Sequence, residues 1–339
     1  MEKKLYDVAV IGNWHLAFVT AGCLASKGLK VLLVNPGPET WTGKPSLPVA
    51  EPGLADMIRS AEPLGNLEYS SDLDGDWSAR FAWLAIDTPV NERDEADTRS
   101  LDRVAGSLRE RHVANRTLIM SSQVPLGYGK TVEKRFGLKV CYIPENLRLG
   151  KGVETFLKAD RTVLGSSDEA LREEVKSLLS FLETEFILCD LPTAEMIKHA
   201  TNSFLATSIS FANELARLGE KFSVDNQLVG KALKADRRIG PQAYVVPGLG
   251  FAGGTLPRDL RVMQALGREH AVPTPLADAV LSINDATSTA ILDVIRSYLG
   301  ALENAEILIL GYTYKAETDA LRRSLSIELA ELLEREGAT

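Results

Sequence analysis

Residues 6–34 leave few folds open to this chain. Tyr6–Gly12 (YDVAVIG) is a short run rich in β-branched residues that ends in glycine. A helical pattern follows from His15 to Lys27, then Gly28, then a second apolar strand at Lys30–Val34. This spacing is the opening of a βαβ unit, since parallel neighbours need a crossover that a helix supplies. In its dinucleotide-binding form the first turn needs three small residues. One glycine makes the tight bend, one lets the backbone meet a pyrophosphate, and the last lets helix pack on strand. Here the turn reads Gly12-Asn13-Trp14-His15-Leu16-Ala17. Gly12 and Ala17 meet the first and last demands, whereas Trp14 puts an indole where the pyrophosphate would lie. Asn35 stands at the end of the second strand, where an acidic residue would hold a ribose hydroxyl. Its amide donates and accepts there without the charge. The pattern is a strong signal for the fold and a weak one for NAD.

Phe81–Ile86, Arg116–Ser121 and Val140–Ile143 read as further buried strands. Each runs into turn residues: Asp87-Thr88-Pro89, Ser122-Gln123-Val124-Pro125 and Pro144-Glu145. A helix over Ser167–Leu182 and a strand at Phe186–Leu188 close the series. Strands alternating with helices predict an α/β fold over residues 1–192. Its core is a Rossmann-like, doubly wound parallel sheet with functional loops at the strands' carboxyl ends.

Thr193–Glu220 reads as one long helix, with Met196, Ala200, Phe204, Ile209 and Leu215 among its recurring apolar positions. Lys198 and Asn202 lie four apart and so project from one face. Spacing alone favours a solvated stripe, because polar residues in helices usually face water. The helix opens a central all-helical domain, residues 193–300. Within it Ala235–Asp259 is rich in glycine and proline and reads as a shaped loop. The adjacent Arg237 and Arg238 suit an anionic ligand; a tight interhelical connector is the other reading. Ala305–Gly311 (AEILILG) and Ser324–Arg335 read as one strand and one helix of a second Rossmann-like series, residues 301–339. One strand and one helix cannot bury both faces of a sheet. The chain is therefore expected to be a fragment, or to lack most of a third domain.

Composition excludes several classes. The 339 residues are 45% hydrophobic and carry a net charge of -8, without a Lys/Arg block, which argues against a nucleic-acid partner. No signal peptide and no twenty-residue apolar run is evident, so no membrane association and a cytoplasmic location are expected. Cys23, Cys141 and Cys189 are odd in number and far apart, which fits a reducing compartment. With four histidines and no clustered ligand motif, no metal site is expected.

The motifs taken together resemble the UDP-glucose/GDP-mannose dehydrogenase family, in order and spacing, over nearly the whole chain. They are Glu51-Pro52-Gly53-Leu54, Asp87-Thr88-Pro89, Ser122-Gln123-Val124-Pro125-Leu126-Gly127 and Pro144-Glu145-Asn146-Leu147. Further on come Glu195-Met196-Ile197-Lys198 with Asn202, Asn213-Glu214, Arg237–Gly240, Gly250–Asp259 and Gly311–Ser324. The resemblance implies NAD in the first domain, near Gly12, Trp14, Ala17, Asn35, Thr88, Pro89 and Lys315. It implies a nucleotide sugar near Glu145, Leu147, Arg238, Gly250, Phe251, Gly253 and Arg322. A homodimer through the central helical domain is likewise implied. Such enzymes oxidise a primary alcohol twice, the second time through a thiohemiacetal on a cysteine, because an aldehyde has no hydride to give until a nucleophile adds. By position, Lys198 and Asp259 resemble the residues that assist proton transfer, and Asn202 the one that supports the oxyanion.

The chain departs from this pattern at Thr255, which takes the cysteine's place. An alcohol is a poor substitute for a thiol that is partly ionised near neutral pH. The family's glutamate after the Pro-Glu motif is Leu149 here, and its threonine before Val-Pro is Gln123. Two readings follow. One is an NAD-linked oxidoreductase limited to a single two-electron oxidation of a nucleotide sugar. The other is a catalytically silent homologue that binds a nucleotide sugar or partners an active subunit.

Overall fold

The buried side chains of the first strand alternate between two apolar clusters. In β1 (Leu5–Ile11), Val8 and Val10 enter one apolar cluster while Ala9 and Ile11 enter another. The same two-residue period runs through β2 (Val31–Val34) and β4 (Ser78–Leu84), where Phe81 and Trp83 face the first cluster and Ala82 and Leu84 the second. Successive side chains of a strand point to opposite faces, so a strand apolar throughout must be covered on both. The computed structural model describes residues 5–37, 41, 43–89, 96–108, 112–113, 116–252, 254–313, 321 and 324–339. The chain divides into two units, 1–91 with 96–198, and 92–95 with 199–339.

The first unit carries an eight-stranded sheet, completed by β3 (Leu67–Ser70), β5 (Thr117–Met120), β6 (Lys139–Tyr142), β7 (Arg161–Ser166) and β8 (Glu185–Cys189). Its order is β3-β2-β1-β4-β5-β6-β7-β8. The first six strands are parallel and follow the Rossmann order. β7 then pairs antiparallel with β6, and β8 runs parallel to β7, so the last two strands oppose the other six. The sequence expectation of a doubly wound, mostly parallel sheet is met, with this reversed pair as the addition. β3 and β7 were absent from the expectation. β3, LEYS, buries only its leucine fully and lacks an apolar run; β7, RTVLGS, is bounded by polar residues at both ends. Helix α1 (His15–Ser26) is buried on nearly every side, with α2 (Leu54–Ala61) and α5 (Gly152–Leu157) packed on it. Between them in sequence lie α3 (Arg99–Ser107) and α4 (Tyr128–Phe136), and α6 (Glu169–Leu178) follows α5.

Helix α7 (Leu191–Glu220) begins in the first unit and continues into the second. The second unit adds α8 (Asn226–Ala235), α9 (Thr255–Glu269), α10 (Pro275–Leu299) and α11 (Leu325–Arg335). Its core falls into two small clusters, Ala206, Phe251, Leu260, Ala277, Val280 and Leu281 in one and Leu292, Leu302, Leu329, Leu333 and Ala338 in the other. Polar side chains supplement it. Ser210 Oγ donates to the Val280 carbonyl at 2.9 Å, and Arg217 Nη2 donates to the Ile283 carbonyl and Thr287 Oγ1 at 2.6 and 2.8 Å.

Two expectations are corrected here. The loop read as Ala235–Asp259 ends at Gly254, because Thr255–Asp259 already form the first turn of α9. Pro257 falls in that turn, where a missing N–H costs no intrahelical bond. Ala305–Gly311 is not a strand: it makes two backbone bonds to Thr339, Ile307 N–H to Thr339 O at 2.9 Å and Thr339 N–H to Ala305 O at 2.8 Å. Among the described residues no helix is long and apolar enough to cross a membrane.

Candidate active site

The strand order reverses at β1, so the crevice between the carboxyl ends of β1 and β4 is the place where such a sheet takes a ligand. Gly12 sits there because nothing larger fits. A Cβ on it would lie 2.3 Å from the Ala85 carbonyl oxygen and 2.7 Å from the Ala17 Cβ. Ala17 is fully buried at the same contact. Trp14 precedes α1 in extended backbone (φ -123°, ψ -178°) that any residue adopts, and its side chain is 46% exposed. It makes no side-chain cap, which leaves the positive end of a 12-residue helix open toward the crevice. A pyrophosphate fits the cradle on that account. Thr88 is buried after β4, beside an exposed Pro89. Asn35 is 1% exposed, and its Oδ1 accepts from Gly37 N–H at 2.9 Å, so the side chain helps to shape its own turn. Lys315, Arg322 and Gly253 lie outside the described residues.

A buried pair that sequence reasoning missed supports this end of the sheet. His15 Nε2 lies 2.6 Å from Glu51 Oε2, and the same carboxylate accepts from Gly150 N–H at 3.1 Å and Gly152 N–H at 2.7 Å. Glu51 thus ties the start of α1 to the start of α5, and its place in the Glu-Pro-Gly-Leu motif was the only signal for it. Glu51→Ala would strand these donors in the interior. The expected loss is about 2–4 kcal/mol, seen as a lower urea midpoint at unchanged slope.

Lys198 ends the first unit and is 4% exposed. Its Nζ donates to the Glu145 main-chain carbonyl and lies 3.9 Å from Glu145 Oε2. Glu145, expected to meet a substrate, therefore holds the lysine; its Oε1 also accepts from Leu147 N–H, and Leu147 packs against the core. One turn earlier on α7, Glu195 is fully buried and accepts from Gly127 N–H at 2.5 Å and Gly129 N–H at 2.7 Å. It caps the positive end of α4 and fixes the first turns of α7. Trp83 Nε1 donates to Ser121 Oγ at 2.9 Å, and Ile86 N–H to Ser122 Oγ at 3.0 Å, which joins the loops after β4 and β5.

In the second unit Asp259 is fully buried, and Asn202 Nδ2 donates to its Oδ2. His199 Nδ1 meets its Oδ1 at 2.8 Å. The glycine-rich loop before α9 is pinned by two asparagines. Asn213 Oδ1 accepts from Gly248 N–H at 2.8 Å, and Asn284 Oδ1 accepts from Phe251 N–H at 2.8 Å. Gly250 between them has φ +101°, in the region that favours glycine, and a Cβ there would strike Asn284 Oδ1 at 2.6 Å. Thr255 is exposed and is the first residue of α9. Arg238 is exposed with its guanidinium engaged by Asp236 at 2.7 Å. None of the three cysteines carries an activated thiol. Burial pushes the Cys23 and Cys141 thiols up to about 12, and burial also raises the half-buried Cys189.

Residues 6–182 match the NAD binding domain of the UDP-glucose/GDP-mannose dehydrogenase family, and residues 192–286 match its central domain. The chain belongs to this family. A UDP-glucose 6-dehydrogenase of Rhizobium meliloti (strain 1021) is 30% identical to it, over 98% of this chain and 79% of the relative. One from Rickettsia felis is 31% identical, over 92% of this chain and 70% of the relative. A solved UDP-glucose dehydrogenase from the hyperthermophilic archaeon Pyrobaculum islandicum superposes with a TM-score of 0.89 at 27% identity, over 99% of this chain and 81% of that one. The chain is thus a member of a nucleotide-sugar dehydrogenase family with an NAD-binding domain, and NAD is the cofactor of that domain.

Proposed function

We propose that the chain removes two electrons from a CH–OH group of a nucleotide sugar and releases the carbonyl product. The observation that carries this reading is in α9: Asp259 is held by Asn202, while Thr255 heads the same helix where a cysteine would be needed for a second oxidation. Gly12, Ala17 and the open end of α1 beside Thr88 would hold NAD, which when bound would supply the hydride acceptor. By their match to the family's motifs, Asp259 accepts the hydroxyl proton, directly or through a water, as the hydride leaves the same carbon, and the Lys198 ammonium assists as a hydrogen-bond donor. Asn202 steadies the oxygen as charge gathers on it. The Thr255 hydroxyl can donate a hydrogen bond, but its pKa lies too far above neutrality for it to add to an aldehyde unaided. The reaction therefore stops at one NADH and one proton for each sugar.

The test is NADH absorbance with UDP-glucose and other nucleotide sugars, with the aldehyde trapped and counted. One NADH per trapped aldehyde is expected. Absence of NAD binding at millimolar concentration would sink the proposal. Binding of the nucleotide sugar without NADH would leave a silent homologue in its place.

The reading includes a homodimer. Along α7, Phe204, Phe211 and Leu218 are 70, 46 and 59% exposed. Their spacing of seven puts them on one stripe. Such a stripe on one long helix is suited to burial against its copy. Phe211→Glu is expected to shift the chain from dimer to monomer in sedimentation velocity, with its helix content retained.

A further inference from the structure

The strongest uncommitted group in the molecule is His199. It is 1% exposed and lies three residues before Asn202, on the same face of α7. Both residues reach Asp259 on α9: His199 Nδ1 meets Oδ1 at 2.8 Å, and Asn202 Nδ2 donates to Oδ2. The other ring nitrogen, Nε2, is buried without a hydrogen-bond partner among the described residues. A carboxylate oxygen only accepts, so the short contact requires a hydrogen on Nδ1. Of the two neutral tautomers, Nδ1–H therefore spends its single donor on Asp259 and leaves only a lone pair unmet at Nε2. The Nε2–H form would strand a donor and turn a lone pair toward the carboxylate, a double penalty. The ring has no other polar commitment that explains its place in the interior.

We infer that His199 is a positioning residue for Asp259, completing a two-donor clamp that fixes both carboxylate oxygens. The inference rests on the reading above that Asp259 serves the oxidation. A hydrogen bond to each carboxylate oxygen, from two positions one turn apart on α7, fixes the plane of the group, and a fixed plane is what orienting a water or a sugar hydroxyl requires. Sequence spacing gave no hint of this, because His199 reads as the residue beside Lys198 and nothing in the chain near it is acidic apart from Glu195.

The experiment has two arms. Ring nitrogen NMR of the intact chain, with His199 assigned by its loss in His199→Asn, is expected to show the Nδ1–H tautomer with a slowly exchanging ring proton. An Nε2–H tautomer or fast exchange overturns the inference. In the kinetic arm His199→Leu is expected to lower kcat on the order of 10²-fold, as for a small misplacement of a reacting group, with KM for NAD unchanged. His199→Asn, whose amide N–H can take the place of Nδ1–H, is expected to recover most of that loss. Equal kcat in His199→Leu and the unsubstituted chain overturns the positioning role. Should His199→Leu fail to fold, the tautomer and the kcat of His199→Asn, expected within a few-fold of the parent, still decide. The NMR arm needs no turnover: an Nδ1–H tautomer in a chain that forms no NADH overturns the dehydrogenase reading and leaves the pairing standing.

Discussion

Lys198→Ala is expected to lower kcat on the order of 10²–10⁴-fold while the affinity for NAD stays within a few-fold, which is the range that one proton-transfer group contributes. The side chain is well placed for a large effect. It is 4% exposed, and its amine is held on the Glu145 carbonyl with the Glu145 carboxylate 3.9 Å away. An amine bound in one place loses little freedom when a hydroxyl arrives, so its contribution falls on the chemical step and not on binding. The cofactor crevice is built from Gly12, Ala17 and the start of α1, which the substitution does not touch. Lys198→Arg is expected to recover little: a planar fork on a longer stem does not place a single N–H donor where the ammonium sits, and it gives up no proton near neutral pH. The check is steady-state kinetics for both variants, with thermal unfolding alongside. A Lys198→Ala chain with near-normal kcat would remove the lysine from the reaction. A loss confined to KM would make Glu145 and Lys198 a substrate-holding pair only.

The sheet was the most legible part of the molecule. β1, α1 and β2 lie within one or two residues of where the pattern put them, because strands covered on both faces write unbroken apolar runs. β3 escaped because it buries only Leu67 fully, and β7 because its apolar run, Val163-Leu164, is only two residues long between polar ends. Helix α7 was legible as a helix but not in its orientation. Its recurring apolar positions suggest a core face, yet Ala200 and Phe204 are exposed while Lys198 and Asn202 are buried. Periodicity reports that two faces differ and does not say which faces the interior. Here the polar face is turned inward because Glu145 and Asp259 satisfy it. Lys198, Asn202 and Asp259 were named from their motifs. The partner His199 could not be, since it meets Asp259 from 60 residues away in sequence, and the Glu51–Gly152 tie was hidden for the same reason. The loop from 235 was read five residues too long, because its glycines obscured the helical turn that begins at Thr255.

Thr255→Cys is expected to convert the chain from one NADH per sugar to two. The position favours a thiol. Residue 255 is exposed at the first turn of the 15-residue helix α9, preceded by Gly254, which offers no capping side chain. Uncapped amides and the helix dipole stabilise an anion there, and helix N-termini are among the places where cysteine pKa falls below its ordinary value of about 8.5. A thiolate at 255 would add to the aldehyde carbon, and the resulting thiohemiacetal carries the hydrogen that an aldehyde cannot give up as hydride. Its oxidation leaves a thioester, which water cleaves to the acid and free thiol. The threonine it replaces differs by a methyl and by sulfur for oxygen at an exposed site, so stability should change by less than about 0.5 kcal/mol. If Leu149 stands where the resemblance implies a glutamate, Thr255→Cys with Leu149→Glu is expected to exceed Thr255→Cys alone in the second step. The readout is moles of NADH and of uronic acid per mole of sugar consumed. Two NADH and one acid support the reading. A variant that still makes one NADH and accumulates aldehyde, although alkylation shows a reactive thiol at 255, would mean that the head of α9 does not face the reacting carbon.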